Sequence, residues 1–284
     1  MMKATARAKL NLNLHILPQG SDGMFPVHYI NCELDICDAL WFEKQTGIIE
    51  VICDFPGVPN GRENLVYKAA QLLKDYSRTN DGVKVRIEKH IPVRSGLGGG
   101  SADAAAALRV LTNLWKVKIS KQELLTLARK VGMDVCYSLI GGLALVEGDG
   151  SAVTSLPLYL PKACVLILVP FEEKPSTQWS FRQLSNNSVG IDIAKTDGMQ
   201  KALKEKNQDV FFSSLHNDFE GPLTAHFPII GQMKADLLHS GAKGTNLCGA
   251  GLAMAGFFVT KKEATLAQQV FKEKYKQAIL GGMQ

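Results

Sequence analysis

The sequence predicts a protein of helices and strands in two domains, and three observations lead to this prediction. Residues 8–16 alternate between polar and apolar side chains, which is typical of a half-buried strand. The stretch after Asn64 carries apolar residues at helical spacing, which is typical of an amphipathic helix. Around residues 150–162 the composition shifts to turn-forming residues, so we expect a boundary that separates residues 1–155 from residues 156–284.

Other segments follow the same two patterns along the chain. Further strands are predicted near residues 27–36, 48–53, 83–87, 141–150 and 164–169, and in a segment that ends at Val259. Further helices are predicted after the glycines at 96–100, from Ser120 to Gly132, and near residues 199–206, 208–216 and 226–239. A closing helix is predicted with an apolar face formed by Leu266, Val270, Phe271, Tyr275 and Ala278. Residues 185–198 are polar, and we expect a loop there.

The composition is that of an ordinary globular protein, and the net charge favours a small anionic ligand. Apolar residues make up 46% and charged residues 21% of the chain. The net charge of +5 comes without a long basic run, which favours an anionic small ligand over a nucleic-acid surface. No apolar run reaches the roughly 20 residues that span a membrane. The six scattered cysteines have no metal-ligand spacing, so we expect reduced, buried thiols in a cytoplasmic protein.

A glycine-rich loop lies between a strand-like segment and an alanine-rich helix. It reads Ile91-Pro92-Val93-Arg94-Ser95-Gly96-Leu97-Gly98-Gly99-Gly100-Ser101-Ala102. Glycines let backbone N–H groups approach a ligand, and a helix N-terminus adds unpaired N–H groups, so the segment predicts a phosphate site. It lacks the lysine of a Walker A loop and the third glycine of a dinucleotide fingerprint. The alternative is a turn between packed elements. Ser101 and Asp103 offer oxygen ligands for Mg²⁺ beside the predicted site.

Two further polar positions attract attention, and each has a plain alternative. Lys9 and Asn11 lie on the polar face of the first predicted strand, which could equally be a solvated sheet edge. Asp134 lies between apolar neighbours just after Gly132, where an isolated aspartate is often a helix cap. The residues alone leave both alternatives open.

Several separated segments together resemble one known group of enzymes. They are residues 8–12 (Ala8-Lys9-Leu10-Asn11-Leu12), 22–23 (Asp22-Gly23), 63–70, 91–107, 132–135 (Gly132-Met133-Asp134-Val135), 141–145 and 217–220 (Asn217-Asp218-Phe219-Glu220). This pattern resembles the GHMP superfamily, the small-molecule kinases named after galactose, homoserine, mevalonate and phosphomevalonate. Within the superfamily it is most similar to kinases that act on a cytidyl-linked alcohol of the non-mevalonate isoprenoid pathway. The similarity extends over nearly the whole chain.

The resemblance implies a specific two-domain α+β fold. The N-terminal domain would have the ribosomal S5-domain-2-like fold and carry the glycine loop. The C-terminal domain would be ferredoxin-like, and the active site would lie between the two domains. The strand and helix predictions above are compatible with this fold but would not select it by themselves.

The resemblance also implies roles for individual residues, with ATP as phosphoryl donor and Mg²⁺ as its metal. Asp134 would accept the proton of the attacking hydroxyl group, and Lys9 would lie beside both. ATP would be bound by Asn64, Pro92, Val93, Arg94, Ser95, Gly96, Leu97, Gly98, Gly99, Gly100, Ser101 and Ala102, with Ser101 also facing Mg²⁺. The alcohol acceptor would be bound by Asn11, Met24, Phe25, Asp134, Thr177 and Phe181.

The chain departs from the family pattern at three places. Met24 and Phe25 replace a tyrosine and a histidine that recognise cytosine, which removes hydrogen bonding there. Ala250 replaces a hydroxyl residue in the C-terminal glycine loop, and Ser151 replaces a glutamate. Two alternatives to the function of a cytidyl-alcohol kinase therefore stay open. One is a kinase for another small alcohol, and the other is a nucleotide-binding protein without catalysis. The presence of Lys9 and Asp134 argues against the last.

Overall fold

The computed structural model of the chain describes residues 1–21 and 23–284. Asp22, the first residue of the Asp22-Gly23 motif, lies outside the described residues. The strands are β1 (Met2–Ile16), β2 (Val27–Thr46), β3 (Ile49–Cys53), β4 (Asp81–Glu88), β5 (Ala144–Gly148), β6 (Ala152–Ser155), β7 (Cys164–Val169), β8 (His216–Asn217), β9 (Gly244–Leu247), β10 (Met254–Phe258) and β11 (Gln277–Gly282). The helices are α1 (Leu65–Ser77), α2 (Gly99–Leu114), α3 (Lys121–Val131), α4 (Met133–Ile140), α5 (Thr177–Arg182), α6 (Ala194–Glu205), α7 (Gln208–Ser213), α8 (Glu220–His226), α9 (Ile229–His239) and α10 (Lys261–Phe271), with a short 3₁₀ turn at Gly61–Glu63.

The chain divides into two units. The first unit consists of Met1–Lys9, Ile36–Val93 and Gly98–Gly141, and the second unit consists of Leu10–Asp35, Arg94–Leu97 and Gly142–Gln284. Strands β1 and β2 each contribute residues to both units, and the glycine loop passes from the second unit to the first after Leu97. The predicted α+β class is confirmed. The boundary after residue 155 stays a prediction.

The first unit is a sheet portion covered by helices. The end of β2 pairs with β4 in antiparallel register from Ala39↔Glu88 to Thr46↔Asp81, and β3 lies parallel to β4. Helix α2 packs against α1 and α4. Its alanines at 104–107 are fully or almost fully buried, and their small side chains let the neighbouring helices approach closely. The alanine-rich sequence thereby fixes the position of the helix that follows the glycine loop.

The second unit contains two sets of paired strands. The start of β2 pairs with β5, which also pairs with β6, and β8 lies parallel to β1 with Asn13 opposite His216. A separate four-stranded antiparallel sheet has the order β11-β7-β10-β9. All of β10 is buried, and so is most of β7, which agrees with the uninterrupted apolar run at 164–169 that predicted a central strand.

The predicted closing helix is wrong in its second half. Helix α10 ends at Phe271, and Ala278 belongs to β11, which pairs with β7. Leu266 and Val270 are 55% and 66% exposed, while the buried face of α10 consists of Ala264, Ala267 and Phe271. The last residues pair as a strand with the side of β7 that does not face β10, and this long-range pairing overrides the helical spacing.

Three other boundaries differ from the sequence prediction. The predicted loop at 185–198 includes the first turn of α6. The helix predicted at 208–216 ends at Ser213, because His216 and Asn217 pair with β1. The helix predicted at 226–239 is α9, which begins only at Ile229, after Pro228, which cannot donate a backbone hydrogen bond; His226 ends the preceding helix α8. The predicted starts of α1 and α3 are confirmed: Asn64 caps α1, and Ser120 forms a capping box with Glu123 at the start of α3.

The thiols are free in the part of the chain that the structure describes, and four of the six are buried. Cys37 and Cys164 are half-buried. Within the same residues, none of the helices combines the length and the apolar character needed to cross a membrane.

Candidate active site

Lys9 and Asp134 lie next to each other in the first unit. Lys9 Nζ is 3.9 Å from Asp134 Oδ2, and the two side chains are 6% and 40% exposed, respectively. Asp134 occupies the first turn of α4, where the helix dipole favours a negative charge, while the N-cap position belongs to Gly132. The cap alternative for Asp134 is therefore not what the structure shows. A buried cation beside an accessible carboxylate can hold that carboxylate ready for a substrate hydroxyl.

Lys9 is enclosed and does not lie on a solvated edge. Strand β1 has β2 and β8 as neighbours, and Asn11, Asn13 and His15 on the same face are fully buried. The stem of Lys9 packs against Gly98, where a Cβ atom would lie only 2.8 Å from Lys9 Cγ. A side chain at position 98 would therefore displace the lysine. The glycine loop and the candidate catalytic lysine are fitted to each other within the first unit.

The glycine loop ends at the N-terminus of α2, as the sequence predicts. Gly98 is the N-cap, with a left-handed φ of 71°. The amides of Gly99, Gly100 and Ser101 belong to the first turn, whose N–H groups have no acceptor within the helix. These N–H groups and the helix dipole favour an anion at this end of α2. Leu97 and Ala102, which lie on either side of this turn, are buried and anchor it.

Within the second unit, residues 94–97 interlock with the C-terminal glycine loop. Gly96 has a φ of +95°, and a Cβ atom there would lie 1.7 Å from Cys248 O. A Cβ atom on Gly251 would lie 2.1 Å from Ser95 O. Asn217 holds the C-terminal loop by donating to the carbonyls of Leu247 and Gly249, each at 2.8 Å. The two backbones can meet this closely because both positions lack a side chain.

Gly96→Ala is expected to lower the free energy of unfolding by about 1–3 kcal/mol, because alanine is strained at this φ and its Cβ would meet a backbone carbonyl. Gly100→Ala is the matched control from the same loop. Its Cβ would make only an ordinary contact of 3.6 Å with Leu65 Cδ1, and alanine favours the helix there. Urea-induced unfolding measures both variants. Similar stability in the two variants would contradict the interlocking of the loops.

A buried ion triad lies beneath α2 and was not predicted from the sequence. Lys89 Nζ donates to Asp103 Oδ2 at 2.7 Å and also to Asp38 Oδ2. The other oxygen of Asp38 accepts from the amides of His90 and Ile91 at 2.6 and 2.8 Å. The triad therefore ties β2, the segment before the glycine loop and α2 together. The signal in the sequence was Asp38, a charge inside the apolar strand β2.

Burial raises the pKa of Asp103 to about 7, against the opposing effect of the Lys89 ammonium group. For Lys89 the two carboxylates outweigh burial, and its pKa is raised. Asp103 Oδ1 has no hydrogen-bond partner among the described residues. Because its carboxylate is buried against Lys89, Asp103 does not fit the role of a Mg²⁺ ligand that the sequence suggested. Ser101, which is half-buried in the first turn of α2, fits that role better.

Except for Asp134, the residues predicted to bind the acceptor lie in the second unit. The rings of Phe25 and Phe181 lie 6.4 Å apart, and Phe181 also packs edge-on against Phe219 at 5.0 Å. Thr177 begins α5, and Met24 is exposed. An aromatic surface of this kind can stack on a base, which agrees with the prediction for Phe25 and Phe181.

Two predicted binding residues use their side chains inside the protein. Asn11 is fully buried and donates to Asn31 Oδ1 at 2.7 Å. Asn64 caps α1 by accepting from Val66 N at 2.9 Å, and its amide group donates to Pro59 O at 2.8 Å. Their roles toward acceptor and nucleotide stay predictions. Any contact with a ligand would use hydrogen-bonding capacity of these side chains that the contacts described here do not occupy.

One group of three metal-ligating side chains occurs among residues 1–21 and 23–284. Ligand atoms of His15, His216 and Asp218 lie within 4.8 Å of one another. The two imidazole rings stack nearly parallel, at an angle of 18°, so their lone pairs do not converge on one point. His216 Nε2 is also hydrogen-bonded to Asp218 Oδ1 at 2.7 Å, and His216 Nδ1 lies 3.5 Å from the Lys195 ammonium group. We interpret this group as structural. Burial lowers the pKa of His15 to about 4, which keeps its ring neutral.

The chain is similar to known proteins over most of its length. The family described as GHMP kinases N terminal domain matches residues 64–142. The chain is 34% identical to the 4-diphosphocytidyl-2-C-methyl-D-erythritol kinase of Acetivibrio thermocellus, over 94% of this chain and 93% of that protein. It is 36% identical to the kinase of the same name from Caldicellulosiruptor saccharolyticus, over 97% and 94% of the two chains.

Solved structures give the same picture. A crystal structure of 4-(cytidine 5'-diphospho)-2C-methyl-D-erythritol kinase matches 99% of both chains with a TM-score of 0.85 and 28% identity. Homoserine kinase from Cytophaga hutchinsonii matches with a TM-score of 0.79 at 18% identity, over 100% of this chain and 94% of that chain. The second similarity concerns the fold alone. The fold implied by the sequence resemblance is thereby confirmed.

Proposed function

Because the chain belongs to the family of 4-diphosphocytidyl-2-C-methyl-D-erythritol kinases, we propose that it phosphorylates a hydroxyl group of that cytidyl alcohol with ATP. This reaction belongs to non-mevalonate isoprenoid precursor biosynthesis. The observation that carries the proposal is the buried Lys9, whose ammonium group lies 3.9 Å from the accessible carboxylate of Asp134. The free thiols of the described residues fit a reducing compartment, and we propose the cytoplasm.

In this reaction the oxygen of the acceptor hydroxyl attacks the γ-phosphorus of ATP, and ADP leaves. Asp134 accepts the proton of the hydroxyl group, which its exposure permits. Lys9 attracts the carboxylate and the developing alkoxide and holds both in place. General-base assistance contributes roughly 10²–10⁴-fold. Phosphoryl transfer depends more strongly on positioning and on neutralising the phosphate charge.

The glycine loop supplies the phosphate site of the donor. The first-turn amides of α2 face the phosphates, and Gly98 lets this turn lie against Lys9. The Ser101 hydroxyl would hold Mg²⁺, which neutralises phosphate charge when bound. Asn64 lies at the start of α1, which packs against α2, and would contact the nucleotide from there.

The acceptor site is proposed around Phe25 and Phe181, whose rings form one aromatic surface. This surface can stack on the cytosine ring, while Met24 and Phe25 offer no side-chain hydrogen bond to its polar edge. Phe25→His is therefore expected to lower KM for the cytidyl alcohol, because a hydrogen bond to a neutral base contributes about 0.5–1.5 kcal/mol. Phe25→Leu, which removes the ring, is expected to raise KM. Equal KM values in both variants would contradict the assignment of this surface.

The function is tested by coupling ADP release to a spectroscopic readout with a panel of alcohols. We expect turnover with 4-diphosphocytidyl-2-C-methyl-D-erythritol and little with homoserine, mevalonate or galactose. Turnover with another alcohol alone would favour the alternative acceptor that the Met24-Phe25 departure raises. ATP binding without any turnover would favour the non-catalytic alternative.

A further inference from the structure

Lys174 is a cation of the second unit that the mechanism above does not use. It lies in the turn between β7 and α5, three residues before Thr177, and is only 9% exposed. No acceptor in the described part of the chain pairs with its ammonium group, and Nζ is not among the polar atoms sealed in the interior. The stem is therefore buried while the ammonium group reaches an accessible surface. A mostly buried cation without a partner is costly unless an anion binds there.

The neighbouring charges leave Lys174 without compensation. Glu173 pairs with Arg94 at 3.6 Å and with Lys276 at 3.1 Å instead. The other carboxylate of this turn, Glu172, is exposed. Burial, together with the positive charge of Arg94, lowers the pKa of Lys174 to about 8. The Lys174 ammonium group can therefore bind an anion without first breaking an ion pair.

The surroundings indicate which anion fits. Arg94 belongs to the glycine loop and has a left-handed φ of 59°, which a non-glycine residue seldom adopts. Helix α5 carries Thr177 and Phe181, and Ser180 Oγ of the same helix donates to Ala250 O at 3.1 Å. Lys174 therefore lies close in sequence to the proposed acceptor residues and near a residue of the proposed donor loop. An arginine and a lysine acting together are well suited to phosphate oxygens.

We propose that Lys174, together with Arg94, binds a diphosphate group of a phosphorylated ligand. The inference rests on the proposed function, which offers two sources of the diphosphate group. One source is the phosphate chain of the adenine nucleotide, and the other is the cytidine diphosphate part of the acceptor. Both present the same chemistry to Lys174. ADP and CDP serve as separate probes of the two sources.

Calorimetric binding of ADP and of CDP to the full chain tests the proposal. Lys174→Met keeps the buried stem and removes the charge, and we expect at least about tenfold weaker binding of one of the two probes. Lys174→Arg keeps the charge and is expected to bind that probe within about threefold of wild type. Lys276→Met, which removes an exposed cation from the same cluster, is expected to leave both affinities unchanged.

A second measurement needs no variant. Binding of the affected probe to the wild-type chain is expected to weaken as the pH rises from about 7 to about 9.5, because Lys174 loses its proton in this range. In Lys174→Arg this weakening is expected to disappear. A merely structural lysine would show neither effect.

The ADP and CDP affinities of the variants distinguish the two sources of the diphosphate and decide whether Lys174 binds it. Weaker binding of ADP assigns Lys174 to the donor, and weaker binding of CDP assigns it to the acceptor. If folded Lys174→Met binds both probes within about twofold of wild type, the proposal is overturned. That result would leave the kinase function standing, since ADP release is measured independently. Conversely, absence of turnover together with a Lys174-dependent affinity would contradict the kinase function alone.

Discussion

Asp134→Asn is expected to lower kcat by about 10²–10⁴-fold while KM for ATP stays close to that of the wild type. Asparagine has the same shape as aspartate but cannot accept the proton of the attacking hydroxyl group. Because Asp134 occupies the first turn of α4 without capping the helix, its replacement should leave the fold intact. Steady-state kinetics and a thermal unfolding curve measure the two effects.

The matched control is Asp75→Asn in the same unit. Asp75 is exposed near the C-terminal end of α1, eleven residues after Asn64, and accepts a hydrogen bond from Gln71 Nε2 at 2.8 Å. We expect wild-type kcat in this variant. If Asp134→Asn retained wild-type turnover, Asp134 would be removed from the mechanism, whatever its distance from Lys9.

Lys89→Met is expected to lower the free energy of unfolding by about 3–5 kcal/mol, because it leaves the buried Asp38 and Asp103 carboxylates without their cation. Lys84→Met, within β4 and five residues before Lys89, is the matched control. Lys84 pairs with Glu50 at 3.5 Å on the surface, and losing such a pair costs about 0–1 kcal/mol. Urea-induced unfolding of both variants gives the comparison.

A double variant sharpens this test. Adding Asp103→Asn to Lys89→Met removes a buried carboxyl group that, without Lys89, must either stay charged or take up a proton, and the protein is expected to regain part of the lost stability. Such a recovery would assign the effect to the buried carboxyl groups and not to the loss of the lysine stem. If Lys89→Met and Lys84→Met cost the same, the triad would have no special role in holding α2 and the glycine loop.

Features with a local pattern could be predicted from the sequence. The glycines at 96–100 and the alanines after them determine a loop and a closely packed helix by their own conformational preferences, and the structure has both. The alternation at 8–16 placed Lys9 on one face of β1. Its pairing with Asp134 came from the family resemblance, because the two residues are far apart in sequence and no local pattern joins them.

Features that depend on distant partners could not be predicted. Asp103 belongs sequentially to the phosphate loop, yet Lys89 and Asp38 draw its carboxylate into the interior. Ala278 continues the apolar spacing of α10, but it belongs to β11, which pairs with β7. The unpartnered Lys174 is likewise invisible in the sequence, since only the fold shows that Glu173 pairs elsewhere.

We propose that this chain transfers a phosphoryl group from ATP to the cytidyl alcohol through Lys9 and Asp134. Phosphorus NMR of a reaction that contains the purified chain, ATP, Mg²⁺ and 4-diphosphocytidyl-2-C-methyl-D-erythritol tests it most directly. We predict a new phosphate monoester resonance that grows with ADP and retains the cytidyl diphosphate signals, and that is nearly absent with Asp134→Asn. ADP formation without a new monoester, or equal product from Asp134→Asn, would contradict the account.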